Sequence, residues 1–179
     1  GCLALEQPIT VAYFGPAGTY THTAARKHFG GAATLAACAS IPEVIRTVTS
    51  KTADFGVVPI ENSQEGLVNQ TLDCLRDASL LICGEVLLEV HHQLLSKASD
   101  LSQLTEIRAH PQALAQCRHW LDAHCPGAEQ IPASSNAEAA RQVIELPHAA
   151  AIAGEMAAGL YELPILARNI EDNPSNTTR

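Results

Sequence analysis

Short apolar runs alternate along the chain with stretches whose apolar residues recur at helical spacing. ITVAYF (9–14) is β-branched and aromatic, which predicts a strand. In GPAGTYTHTAARKHFG (15–30), Gly15, Pro16 and Gly18 predict a tight turn. Thr19 or Thr21 then caps a helix running through Ala24 and Ala25 to about Phe29. A second strand is expected over 34–39, and a helix started by Ser40 or Pro42 carries Val44, Ile45 and Val48. FGVVPI (55–60) has the composition of a buried strand, with Pro59 ending its pairing. A helix over 66–77, with Leu67, Leu72 and Leu75 on one face, completes a β-α-β-α-β-α order of the parallel-sheet kind.

The rhythm then changes. LLICGEVLLEVHHQLL (80–95) is strand-like throughout and too long for one ordinary strand. It predicts a ribbon, bent at Gly84, that leaves one sheet and enters another. Beyond a turn at 98–103 the alternation resumes with strands at 106–109, 129–132, 149–153 and 165–170. Helices are expected over 110–125, 139–144 and 154–161. The chain is therefore read as two βα lobes, 9–84 and 85–164, with the segment from about 165 to 179 returning to the first. Residues 1–8 read as the tail of a linker. Two crossings make a hinge, and the polar loops of both lobes face one cleft.

Composition narrows the function. Apolar residues make up 46% and charged residues 17%, enough for a real core. A net charge of −8 with no Lys/Arg cluster argues against a nucleic-acid surface. A local Arg with a few amides can still hold a small anion. No apolar run reaches the roughly 18 residues of a membrane span, and the N-terminal residues lack a signal peptide's basic flank. Six cysteines contain no CxxC pair and lie mostly in apolar runs, as buried thiols do in a reducing compartment. The expectation is a cytoplasmic protein without a zinc site.

Candidate chemistry centres on Glu61, Asn62 and Ser63, directly beyond the apolar run at 55–60. Open α/β sheets bind ligands outside the carboxyl ends of their strands. Asn62 or Ser63 can equally cap a helix beginning near Gly66. The turn with Thr19 and Thr21 has an anion-binding form, although it matches neither a P-loop nor GxGxxG. Ser134, Ser135 and Asn136 form a capping cluster, with Glu138 completing a capping box. His22 and His28 read as helix-surface residues. His91 and His92 alternate onto opposite faces, so one at most reaches a cleft and no metal pair is expected.

GPAGTYTHTAA (15–25), GVVPIENSQEG (56–66), AHPQALAQC (109–117) and NIEDNPSNTTR (169–179), with AAIAGEMAAGLYELPIL (150–166), together resemble the signature set of prephenate dehydratases over residues 9–179. The resemblance implies conversion of prephenate to phenylpyruvate, with loss of water and carbon dioxide, in phenylalanine biosynthesis. It implies a two-lobed, periplasmic-binding-protein-like (type II) α/β fold, with mixed sheets, flanking helices and the active site between the lobes. Prephenate is a dianion whose ring becomes aromatic as the hydroxyl and ring carboxylate leave. The reaction needs a proton and an alignment of the two leaving groups, with no cofactor and no metal.

The family's Thr-Arg-Phe motif falls on Thr178 and Arg179, making Thr178 the catalytic hydroxyl and Arg179 the partner of a substrate carboxylate. Asn62 and Ser63 are further contacts, and Glu61 either orients them or holds a proton. Thr19 and Thr21 are assigned to the pyruvyl carboxylate, and Ser134, Ser135, His110 and Gln112 come from the second lobe. Ala109 stands where the family often has serine. The resemblance also implies the dehydratase domain of a bifunctional chorismate mutase/prephenate dehydratase. The mutase domain and a phenylalanine-binding ACT domain lie outside these residues, and a homodimer is expected of the full-length protein. Arogenate dehydratase and a non-catalytic, anion-binding two-lobed fragment are the alternatives.

Overall fold

The computed structural model describes residues 8–63, 66–174 and 177–179. Strand β1 (Thr10–Phe14), helix α1 (Tyr20–Phe29), β2 (Thr34–Cys38), α2 (Ile41–Thr49) and β3 (Phe55–Val57) follow the expected order. They form a parallel sheet, β2-β1-β3. Successive crossovers go to opposite neighbours of β1, so the two helices cover opposite faces. Val11 and Tyr13 pack with Ala25 of α1, while Ala12 packs with Val44 of α2. Thr19 and Ser40 cap the helices, accepting from the His22 and Glu43 amides.

β3 ends at Val57, short of the expected 60. The chain then enters a hairpin of β4 (Glu61–Asn62) and β5 (Gly66–Leu67) before α3 (Asn69–Asp77). The helix expected from residue 66 therefore starts later. Gly66 and Leu67 are held in the hairpin, and the Val68 amide bonds Ile60 O at 2.9 Å. Gly66 takes a φ of 83°, which a glycine adopts without strain. Leu67 is exposed, and the buried position of α3 is Thr71, whose hydroxyl donates to Pro59 O. Among the described residues no side chain caps α3, so the capping reading of Asn62 and Ser63 is overturned.

The strand expected over 80–95 is only partly one. β6 (Leu88–Glu89) and β7 (Gln93–Ser96) join two different sheets, whereas Leu81 and Ile82 stay 94% and 70% exposed. Strand-like composition describes fitness for a pleated surface and does not create an edge to pair with.

The second lobe contains β7, β8 (Glu106–Ala109), α4 (Pro111–Gln116), α5 (Arg118–His124), β9 (Glu129–Pro132), α6 (Asn136–Val143), β10 (Ala149–Ala153), α7 (Glu155–Leu160) and β11 (Ile165–Ala167). Its sheet runs β11-β7-β10-β8-β9, with β8, β9 and β10 parallel and β7 antiparallel to β10 and β11. All five residues of β10 are buried, because helices cover both faces and its alanines admit them closely. The helix expected over 110–125 breaks at Cys117. The Asp172 carboxylate accepts from the His119 and Trp120 amides, giving α5 an N-terminal cap from a distant segment.

The expected return at residue 165 also moves. β11 pairs with β7, and Ile170 is buried in the second core. Only β12 (Thr177–Thr178) returns, entering a small antiparallel sheet, β5-β4-β12-β6. β6 lies in that sheet too, so the outward change-over falls at 90–92 rather than at 84–85. The result is the two-lobed, mixed α/β architecture, its lobes joined by a small sheet. Among the described residues no helix is long and apolar enough to cross a membrane. Cys38, Cys117 and Cys125 are buried thiols as expected, but Cys83 is exposed.

Candidate active site

The small sheet brings together residues far apart in sequence. Thr178 lies opposite Asn62, and the Asn62 amide nitrogen donates to Thr178 Oγ1 at 2.8 Å. The Ser63 amide bonds Thr177 O, and the Thr177 amide returns a bond to Ser63 Oγ, both at 2.9 Å. The Arg179 amide bonds Glu61 O at 2.8 Å, while the Ile60 and Glu61 amides converge on the Arg179 main-chain oxygen. This lattice fixes the backbone at Thr178 and Arg179 without help from their side chains.

The Arg179 guanidinium contacts Glu61 Oε2 at 3.3 Å and Glu85 Oε2 at 3.5 Å. Its Nε is buried and has no hydrogen-bond partner among the described residues. A cation with part of its donor fork unspent suits a carboxylate ligand. Glu61, Asn62, Ser63, Thr178 and Arg179 are thus one cluster.

A cavity of about 490 Å³ opens beside it, along the edge of β3 between α1, α2 and the segment over 80–88. Thr21, Thr178 and Arg179 reach its wall, but Phe29, Val48 and Leu81 make most of it apolar. Such a lining does not match a dianion. The polar strand ends at its mouth match better than its depth.

The turn over 15–19 fits differently from expectation. Gly18 has a φ of 93°, and a Cβ there would lie 3.4–3.5 Å from the side chains of Ala157 and Ala137. The turn is thereby pressed against the second lobe. Thr19 Oγ1 accepts from the His22 amide and donates to Phe14 O, so capping engages its hydroxyl. His22 is not a surface residue: Nδ1 accepts from the Gly18 amide at 2.9 Å, and its ring stacks on Tyr13. Burial lowers its pKa, favouring the neutral imidazole that this bond requires. Two amides of the expected anion site are therefore already taken, and of the two threonines it is Thr21 that reaches the cavity wall, beside Tyr20.

In the second lobe, His110 Nδ1 accepts from the Gln112 amide, and the His110 amide donates to Asn136 Oδ1. Ser135 Oγ accepts from the Glu138 amide, as a cap does. Glu138 turns towards Arg141 instead of back to Ser135, which leaves half a capping box. Ser134 is exposed. These four residues, His110, Gln112, Ser134 and Ser135, stand apart from the cavity wall. Among the described residues no group of three or more His, Cys, Asp or Glu is placed to hold a metal ion.

Sequence reasoning missed the polar network at the hinge. His91 Nδ1 meets Glu171 Oε1 at 2.7 Å and its Nε2 meets Glu89 at 3.1 Å. Glu171 Oε2 accepts from the His92 amide. The hydrogen bonds to Glu171 and Glu89 raise the His91 pKa. Burial would raise that of Glu171, but the bonds to His91 and to backbone amides outweigh it and the net shift is downward. The available signal was the His-His pair in a crossing segment, whose alternation does separate the two: His91 faces carboxylates and His92 is buried.

Comparison with known proteins bears on the family and the fold. The family model described as prephenate dehydratase matches residues 11–179. The bifunctional chorismate mutase/prephenate dehydratase of Pseudomonas aeruginosa is 52% identical over 179 residues, covering 99% of this chain and 49% of that protein. The chain thus spans about half the length of such relatives. The crystal structure of prephenate dehydratase from Arthrobacter aurescens in complex with L-Phe superposes with a TM-score of 0.86 at 36% identity, covering 95% of this chain and 61% of that one. A structure described as a novel type of quorum-quenching acylase superposes with a TM-score of 0.84 at 33% identity, covering 94% and 61%. The fold is therefore shared by chains given different activities, and the site has to decide between them.

Proposed function

The chain belongs to the prephenate dehydratase family, and from that premise we propose that it is the dehydratase domain of a longer protein, converting prephenate to phenylpyruvate. The observation that carries this reading is the 2.8 Å bond from the Asn62 amide to Thr178 Oγ1, with Arg179 adjacent. A hydroxyl that accepts from an amide keeps its own proton for another partner, and the donated bond makes that proton easier to release. Thr178 gives this proton to the departing C4 hydroxyl, which leaves as water. The electron pair of the ring–carboxylate bond moves into the ring, carbon dioxide departs, and Thr178 recovers a proton from solvent.

Arg179 holds a substrate carboxylate with the part of its fork that Glu61 and Glu85 leave unspent. Glu61 contacts Arg179, which supports the orienting role over that of proton donor. Ser63 supports the Thr177 backbone, and Thr21 faces the same opening. His110, Gln112, Ser134 and Ser135 lie at helix starts of the second lobe and supply the opposing wall of the cleft. The whole protein is read as a cytoplasmic homodimer that also carries chorismate mutase activity and a phenylalanine-binding ACT domain.

The test is to incubate the purified protein with prephenate at neutral pH and follow phenylpyruvate by its enolate absorbance in alkali. Product above the buffer control supports the assignment, and its absence overturns it. Arogenate in a parallel reaction, read as phenylalanine, decides between the two dehydratase substrates.

A further inference from the structure

His92 lies at the outward crossing between the lobes and is 2% exposed. Burying an imidazole is costly unless both ring nitrogens find partners. Here they do. Nε2 lies 2.6 Å from Gln116 Oε1 on α4, and Nδ1 lies 3.1 Å from the Tyr20 hydroxyl on α1. In the tautomer this implies, Nε2–H donates to Gln116 and Nδ1 accepts from Tyr20. The single proton of the Tyr20 hydroxyl is shared between His92 Nδ1 and the main-chain oxygen of His91, which lies 3.0 Å away. The three side chains come from the first lobe, the crossing and the second lobe. Burial lowers the His92 pKa, in keeping with a neutral ring.

Backbone pairing extends this chain of contacts to the candidate active site. Ile170 N bonds His92 O, which ties the outward crossing to the returning one. A few residues before His92, Leu88 pairs with Thr178. Tyr20 stands between Thr19 and Thr21 at the start of α1, and its ring packs against Gly154, where an added Cβ would meet it at 3.4 Å. An apolar side chain at 92 would fill the space without fixing any of these directions.

We propose that His92 is a positioning residue that, through Tyr20, holds the first turn of α1 in register with the strand carrying Thr178. The inference rests on the dehydratase reading for its kinetic consequences, but its structural content stands separately. Misplacing a positioning element by about an ångström costs large factors in rate even when the reacting groups are untouched.

The variants separate the two nitrogens. Asparagine places its oxygen near the position of Nδ1, and glutamine reaches that of Nε2. His92→Asn therefore keeps the Tyr20 bond, whereas His92→Gln keeps only the Gln116 bond. Tyr20→Phe removes the hydroxyl alone. The expected result is a fall in kcat/KM of about tenfold for Tyr20→Phe and for His92→Gln, the scale of one lost hydrogen bond. The double variant falls no further than either single one, and His92→Asn stays within about threefold of the parent. Amide hydrogen exchange across 22–25 quickens in Tyr20→Phe and His92→Gln but not in His92→Asn. Full activity in Tyr20→Phe, or equal losses in His92→Asn and His92→Gln, would overturn the proposal. If the parent protein does not turn over prephenate, the dehydratase reading falls, and the exchange pattern alone decides the positioning role.

Discussion

Thr178 and Asn62 face each other across two antiparallel strands, joined by a hydrogen bond that runs from the Asn62 amide to the Thr178 hydroxyl. The direction matters. With the amide as donor, the hydroxyl keeps its own proton for another partner. Replacing Asn62 with alanine removes that polarisation and leaves the strand pairing. The expected effect is a fall in kcat of about a hundredfold, the scale of losing one preorganised donor, with KM changed only a few-fold. Steady-state kinetics with prephenate reads both constants.

Arg179 is fixed by its backbone, so a change of side chain isolates the guanidinium. Arg179→Lys keeps the charge and loses the planar fork. KM for prephenate is expected to rise about tenfold, with a smaller change in kcat, because the proposed carboxylate contact loses the planar donor fork. The same kinetic measurement checks it.

The hinge pair gives stability a pH dependence whose sign follows from its two shifts. The pKa of Glu171 is lowered in the folded state, so its contribution is present above the ordinary carboxylate range and is lost as pH falls through the lowered value. The pKa of His91 is raised, so its contribution is full below the ordinary imidazole range and is lost as pH rises through the raised value. The pair is strongest in mildly acid solution and weakens towards alkaline pH. Urea midpoints measured across this range should fall more steeply on the alkaline side for the parent protein than for Glu171→Gln, which removes the carboxylate that is 3% exposed.

Gly18 adopts a left-handed φ and lies against two alanines of the second lobe. Gly18→Ala is expected to destabilise the protein by about 1–2 kcal/mol, the penalty of a Cβ in that conformation, with crowding added. Thermal denaturation measures it.

The regular parts of this fold were legible because they are locally encoded. The strands over 106–109, 129–132 and 149–153 stand as short segments between turn residues and helical patterns. The caps at Thr19, Ser40 and Ser135 follow from hydroxyls placed just before helices. The candidate site was legible as a set of motifs but not as an arrangement. Strands of two residues leave no periodicity, and nothing near Asn62 announces a partner 116 residues away. The break at Cys117 is set by Asp172 from beyond the local window, as the burial of His92 is set by Tyr20 and Gln116. The 80–95 run misled for the opposite reason, since its composition is locally strand-like while only its C-terminal half finds partners.

The central claim is that the Thr178 hydroxyl delivers the proton. The most direct measurement compares the parent protein with Thr178→Ser and Thr178→Ala in the neutral-pH prephenate assay, with prephenate binding measured alongside by calorimetry. Thr178→Ser keeps a hydroxyl and should retain a substantial part of the turnover. Thr178→Ala should bind prephenate within a few-fold of the parent and form no phenylpyruvate above the buffer control. Turnover by Thr178→Ala equal to that of the parent would contradict the account.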